Sequence, residues 1–337
     1  MSQYYYNPFG DSGVNEENQR AFLKKQQQKQ EKREIRMISL SMGVAVIAYL
    51  VIQSFVLTIL YATGYYSKFE NDVVFQNAVT IIGVSFLAVF VPFAIMALVN
   101  KKRYNYPIIP NEPIKFGKCF MWIAFGMLCC ICANIGVSYL ITIMETLFGV
   151  TFTQGELLEP NSVFSCVMVT VSTAIIPAIC EEFAMRCCSL QLMRKYGSGF
   201  AVFAVSIVFG LLHGNVIQFV FAFLIGLVLG YITVKTNSIV PAVCIHAFSN
   251  GISVTKSVVT YAAGEESANT AVVILYLLWF AAGAVCGLAL LVKGAFKNNK
   301  VPVNSSLTNG QKFVSFLFPW MIIPFALLIY LTSKTIV

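Results

Sequence analysis

The chain has 337 residues, of which 58% are hydrophobic and only 11% are charged, and its mean hydropathy is +0.75. Soluble domains contain about 45–50% apolar and about 25% charged residues, so this composition excludes an ordinary soluble domain. Apolar runs of about 20 residues, long enough to cross about 30 Å of hydrocarbon as a helix, recur along the sequence. We therefore predict an all-α fold, a polytopic integral membrane helical bundle with about 8–9 transmembrane helices.

The predicted elements follow one another with short polar connections. Nine candidate spans are expected at about 38–62, 75–99, 119–146, 162–190, 199–213, 216–234, 239–255, 271–292 and 313–332. Four regions are expected: a cytoplasmic tail (1–36), accessory transmembrane helices (37–150), a transmembrane core (151–258) and C-terminal transmembrane helices (259–337).

The polar tail is basic and predicts the orientation of the chain. Seven lysines and arginines lie between Arg20 and Arg36, in a segment that we expect to be either disordered or an amphipathic helix. If the N-terminus is cytoplasmic, 19 of the 23 basic residues fall in the tail or in inner loops, as the positive-inside rule requires. The net charge of +8 therefore follows membrane topology, and no nucleic-acid partner is expected.

Three ionisable residues interrupt the apolar run of the fourth span. Glu181 and Glu182 are adjacent, and Arg186 follows four residues after Glu182. An ionised group near the centre of a bilayer costs at least about 2.5 kcal/mol, so such residues usually have a function. Because positions i and i+4 share one helical face, Glu182 and Arg186 are predicted to form a salt bridge.

Only two histidines occur in the chain, and both fall within predicted spans. With a rise of about 1.5 Å per residue, Glu181 lies roughly 20 Å from Arg194 at the inner face, and His213 lies roughly 21 Å from the start of its span. The same arithmetic places His246 roughly 16 Å from Lys235. The three side chains are thus predicted to reach similar depths and to form one polar pocket.

Spacing adds two neighbours to this pocket. Phe209 precedes His213 by four residues and should cover its ring, and Asn250 follows His246 by four residues and should face the same cavity. A carboxylate can take a proton from water, and an amide such as Asn250 can stabilise an oxyanion.

Two histidines and one glutamate also form a common catalytic zinc set. Glu181, His213 and His246 could therefore hold a divalent metal ion such as zinc, or they could act without one. The residues alone leave both alternatives open.

Three short motifs resemble those of the CPBP family, the type II CAAX prenyl proteases and bacteriocin-processing proteins, also called the ABI family. They are Glu181-Glu182-x-x-x-Arg186, Phe209-x-x-x-His213 and His246-x-x-x-Asn250. The resemblance covers roughly 162–255, and the stretch from Ser238 to Ala247 is also typical of the family.

The resemblance implies an endopeptidase embedded in the cell membrane. Glu181 would activate the attacking water together with His213, and His246 and Asn250 would form the oxyanion side. The Glu182–Arg186 pair would be structural. The substrate would be a peptide or protein among the membrane lipids, either prenylated or bacteriocin-like, and the tail is typical of a bacterial member.

Two other classes of function remain open on sequence grounds. A non-enzymatic scaffold or bacteriocin-immunity protein could use the same fold. A proton-coupled transporter could also use buried glutamates and histidines, although the related halves that such transporters often show are not visible here.

Overall fold

The computed structural model describes residues 16–153, 158–297 and 305–336, so the first part of the predicted tail lies outside the described residues. Within these ranges every named element is a helix, and the only extended pairings are two isolated bridges. The predicted all-α fold is confirmed.

The α-helices are numbered in chain order. They are α1 (Glu16–Ala62), α2 (Tyr66–Asn71), α3 (Val73–Val79), α4 (Val91–Asn100), α5 (Phe116–Phe148), α6 (Val163–Thr170), α7 (Ile176–Glu182), α8 (Leu190–Met193), α9 (Ser198–Leu211), α10 (Val216–Thr236), α11 (Val240–Ala263), α12 (Glu265–Val292), α13 (Asn309–Leu317) and α14 (Ile322–Ser333). Three π-helical segments, Thr80–Phe90, Val171–Ile175 and Phe183–Ser189, join some of them into longer rods.

Fewer helices can cross a membrane than the nine predicted. Six are long and apolar enough in the described residues, and α13 with α14, bent by 79°, raises the number to seven. α9 falls short because it has only 14 residues. α11 has 24 residues, but its mean hydropathy is lower than that of the six candidate spans, because polar residues such as His246 and Asn250 interrupt it.

α1 is a single helix of 47 residues, so residues 16–36 of the tail continue the first span directly. Two acidic residues bind this N-terminal part of α1 to the rest of the bundle. The Glu31 carboxylate accepts hydrogen bonds from the Ser305 hydroxyl at 2.7 Å and the Ser306 amide at 3.1 Å. The Glu34 carboxylate pairs with Lys195 Nζ at 2.9 Å.

The rod that carries the two glutamates, Val163–Tyr196, contains two of the π-helical segments. Pro177 is the second residue after the first of them ends at Ile175. Proline has no amide hydrogen, so a local change in backbone pairing is expected before it. The first π-helical segment is tied to other helices, because Ser172 hydrogen-bonds to Asn77 and the Thr173 carbonyl accepts from Asn250.

α9 and α10 form an antiparallel hairpin whose tip contains His213. The hairpin is tight because Gly226 and Gly230 lie against Ser206 and Val202 of α9. A Cβ atom at either glycine would come within 3.0 Å of these side chains. The Gly-x-x-x-Gly pair therefore serves packing within one chain.

A glycine also sets the contact between α5 and α12. A Cβ atom at Gly283 would lie 2.5 Å from both the Ala124 carbonyl oxygen and Leu128 Cβ. We expect Gly283→Ala to lower the free energy of unfolding by about 1–3 kcal/mol, as overpacking does. Thermal unfolding in detergent, followed with a dye that reacts with newly exposed cysteines, measures this change.

Gly136→Ala on α5 is the matched control, since a Cβ atom there meets nothing within 4 Å. It should leave stability unchanged or raise it by up to about 1 kcal/mol through helix propensity. Equal stability of the two variants would show that Gly283 does not set the approach of α5 and α12.

Candidate active site

His213 lies on the turn between α9 and α10 rather than within a helix. α9 ends at Leu211, and Gly214 adopts a positive φ of 68°, which lets the chain reverse. Asn215 then caps α10, because its side-chain oxygen accepts a hydrogen bond from the Gln218 amide at 2.8 Å. This reversal presents the His213 ring at the tip of the hairpin.

The His213 ring has a defined orientation. Its Nδ1 lies 2.8 Å from the Phe209 carbonyl oxygen. A carbonyl oxygen can only accept, so in the neutral ring Nδ1 carries the hydrogen and Nε2 has a free lone pair. The Phe209 ring meets the His213 ring edge-on, with 5.0 Å between the centroids. The predicted cover of the histidine by Phe209 is present.

Glu182, Arg186 and His246 form one buried charged group. The side chains of Glu182 and Arg186 are 0% and 2% exposed, and Arg186 Nε lies 3.0 Å from Glu182 Oε2. These two atoms attract each other as an ion pair, but the N–H of Arg186 does not point at the oxygen well enough to form a hydrogen bond. The other carboxylate oxygen, Glu182 Oε1, accepts from His246 Nδ1 at 2.9 Å. Glu182 thus connects its own helix to α11.

Phe209 completes this buried group. The Arg186 guanidinium carbon lies 4.7 Å from the centre of the Phe209 ring, which is a cation–π contact. The same ring lies 5.9 Å from the His246 ring. Because Phe209 also touches His213, one aromatic side chain separates and orients both histidines.

Glu181 differs from its neighbour in its surroundings. Its side chain is 24% exposed, and its Oε2 lies 3.9 Å from His246 Nε2. It lines a cavity of about 210 Å³ together with His213 and Phe209. One glutamate is therefore buried in the ion pair, whereas the other faces open space beside both histidines.

The sequence patterns did not reveal three polar residues that line this cavity. They are Tyr49 on α1, Ser85 in the π-helical segment Thr80–Phe90 and Gln218 on α10. Tyr49 and Gln218 have polar neighbours at helical spacing, Gln53 and Asn215, but these pairs lie on helices without a motif, and Ser85 stands alone in an apolar run. No sequence signal distinguishes such residues from ordinary packing.

Asn250 does not line the same cavity as Glu181 and His213. Its Nδ2 donates to the Thr173 carbonyl oxygen at 3.0 Å. It lines a smaller cavity of about 70 Å³ with Ser249, Ser253 and Cys130. The spacing of four from His246 placed both on one side of α11, but successive i, i+4 positions are offset by about 40°, and here the two side chains reach different neighbours.

The described residues do not support the zinc alternative. Among them, no group of three histidine, cysteine, aspartate or glutamate side chains could hold a metal ion. Each histidine binds a neighbour through Nδ1, so Nε2 is the nitrogen left to face a ligand, but the geometry does not bring both Nε2 atoms and Glu181 together into one three-ligand group. We therefore derive no step through a metal.

A comparison with known protein families gave a match to part of the chain. The family model described as type II CAAX prenyl endopeptidase Rce1-like matches residues 163–252. The segment 163–252 is Rce1-like. The match covers less than a third of the chain and agrees with the resemblance of the three motifs. No curated protein and no solved structure matched the chain.

The Rce1-like segment contains every site residue predicted from the sequence, from Glu181 to Asn250. The family supports a CAAX-type intramembrane endopeptidase in general. The long apolar helices of the described residues indicate a multi-pass membrane protein, and the family that the segment resembles consists of endopeptidases.

The buried ion pair gives a stability prediction. We expect Arg186→Met to lower the free energy of unfolding by about 3–5 kcal/mol, because it leaves the Glu182 carboxylate buried without its cation. Chemical denaturation in detergent micelles, followed by circular dichroism, measures the loss.

The control is an exposed ion pair of the same spacing in the same chain. Lys68 and Asp72 are 3.9 Å apart, with side chains 51% and 41% exposed. Lys68→Met should cost at most about 1 kcal/mol. A loss for Arg186→Met no larger than that of the control would mean that the buried pair does not stabilise the fold.

Proposed function

We propose that the protein is an intramembrane endopeptidase that hydrolyses a peptide bond with a water molecule activated by Glu181 and His213. One observation carries the proposal: the Glu181 carboxylate and His213 line the same cavity, within the Rce1-like segment. The buried Glu182–Arg186 pair is separate, so Glu181 is the glutamate that can meet a substrate.

The first step is attack on the scissile carbonyl carbon. The Glu181 carboxylate takes one proton from the water, and the unprotonated Nε2 of His213 accepts a hydrogen bond from its other O–H. The water oxygen forms a bond to the carbonyl carbon, and the carbonyl π electrons move to the oxygen. General-base assistance of this kind contributes about 10²–10⁴-fold to a rate.

The second step breaks the peptide bond. The protonated Glu181 carboxyl returns its proton to the departing amine as the carbon–nitrogen bond cleaves, so the products are one carboxylic acid and one amine. Developing charge on the carbonyl oxygen requires a nearby donor. We assign this donor to Nε2 of His246, which lies 3.9 Å from Glu181 Oε2 and can donate when both ring nitrogens are protonated. Asn250 lines the smaller cavity and supports this side of the site by binding the Thr173 carbonyl oxygen.

Glu182 and Arg186 act on the reaction indirectly. Glu182 holds Nδ1 of His246 and thereby fixes the orientation of the ring. Partners that bind the second nitrogen of a site histidine commonly set its tautomer. We propose that the substrate is a membrane-associated peptide, either prenylated at a C-terminal Cys-aliphatic-aliphatic-X sequence or bacteriocin-like.

Glu181→Gln tests the proposed base. The amide has nearly the same shape but cannot accept a proton, so kcat should fall at least about 100-fold. The measurement is cleavage of fluorogenic peptides by purified protein in proteoliposomes, with farnesylated and unmodified peptides compared. Thermal unfolding of the variant should match that of the wild type.

Glu265→Gln is the matched control, because Glu265 is an exposed glutamate at the start of α12. It should leave kcat unchanged. If Glu181→Gln retained full activity, the assignment of the base would be wrong. If the wild-type protein cleaved none of the peptides, the scaffold alternative would be favoured.

A further inference from the structure

Tyr49 brings a residue from far outside the Rce1-like segment into the candidate site. It lies on α1, more than 100 residues before the matched segment begins. The side chain is 8% exposed and lines the cavity together with Glu181 and His213.

The hydroxyl of Tyr49 has two partners, one of which is the Gln53 side chain on its own helix. It donates a hydrogen bond to the Leu212 carbonyl oxygen at 2.8 Å. Leu212 directly precedes His213, at the point where α9 has ended and the chain reverses at Gly214. The backbone of His213 is therefore held from α1, while its ring is held by the Phe209 carbonyl.

The register of α1 against the glutamate-bearing rod is fixed at their inner ends. The Glu34 carboxylate pairs with Lys195 Nζ at 2.9 Å and accepts from the Tyr196 hydroxyl at 2.7 Å. Tyr49 lies 15 residues beyond Glu34, or about 22 Å, and Glu181 lies 14 residues before Lys195, or about 21 Å. The equal lengths bring Tyr49 and Glu181 to the same depth.

We propose that Tyr49 is a positioning residue that holds the His213 turn through the Leu212 carbonyl and so keeps His213 Nε2 directed into the cavity. The kinetic part of this proposal rests on the proposed function, but the structural part does not. If Tyr49 only packed against apolar neighbours, its ring would be sufficient and loss of its hydroxyl would have no effect.

Tyr49→Phe isolates the hydroxyl. Because the chain contains only two histidines, ¹⁵N-histidine labelling reports both rings separately in one spectrum. We expect the His213 ring signals to shift or broaden in the variant, with those of His246 unchanged. With a farnesylated fluorogenic peptide, kcat should fall about 10- to 100-fold, the usual effect of losing an outer-shell partner, with KM within twofold.

Two further variants control the experiment. Tyr139→Phe removes an exposed hydroxyl on α5 and should alter neither histidine signal nor kcat. 3-Fluorotyrosine at position 49 keeps both ring and donor and should retain the wild-type spectrum and kcat.

The outcomes separate this proposal from the proposed function. Unchanged His213 signals in Tyr49→Phe, or equal perturbation of both histidines, would overturn the positioning role. A shift confined to His213, in a protein that cleaves no peptide even as wild type, would support the positioning role while contradicting the endopeptidase proposal.

Discussion

Glu182 is the charge on which the arrangement of the site depends. A carboxylate in an apolar bundle is strongly destabilising unless it is paired, and removing one partner leaves the other unpaired. Both of its oxygens are used, one by Arg186 on its own helix and one by His246 on α11. Phe209 packs on Arg186 and joins α9 to the same group. The three motif-bearing segments are therefore held together by one buried ion pair and its two neighbours.

Parts of this arrangement follow from sequence spacing. Positions four apart predicted the contact of Glu182 with Arg186 and the cover of His213 by Phe209, since both depend only on helix geometry. The distance of Glu181 and His246 from the basic residues at the ends of their helices predicted that the two lie at similar depth, because charged residues mark the membrane surface. Each of these predictions depends only on the geometry of a single helix, or on the distance along one helix from the membrane surface.

Other parts depend on how the helices rotate and pack against one another, which residue spacing along the sequence does not specify. The prediction of nine spans counted apolar runs, whereas in the described residues α9 is shorter and α11 more polar than the six helices with the length and composition of a membrane span. The rotation of α11 decides that Asn250 meets the Thr173 carbonyl rather than the larger cavity. Tyr49 could not be recognised at all, since its role arises only where α1 meets the α9–α10 turn.

The π-helical segments on either side of the glutamates have a consequence for the evolution of this protein. A π-helical turn closes its hydrogen bond over one residue more than an α-helical turn does. Deleting one residue after Arg186, within Cys187–Ser189, would leave the Glu181-Glu182-x-x-x-Arg186 motif intact. It would, however, rotate Glu181 and Glu182 by about 100° relative to the end fixed by Lys195. Among homologous sequences, a one-residue gap in this segment would therefore mark a reoriented site, even where all motif residues are retained.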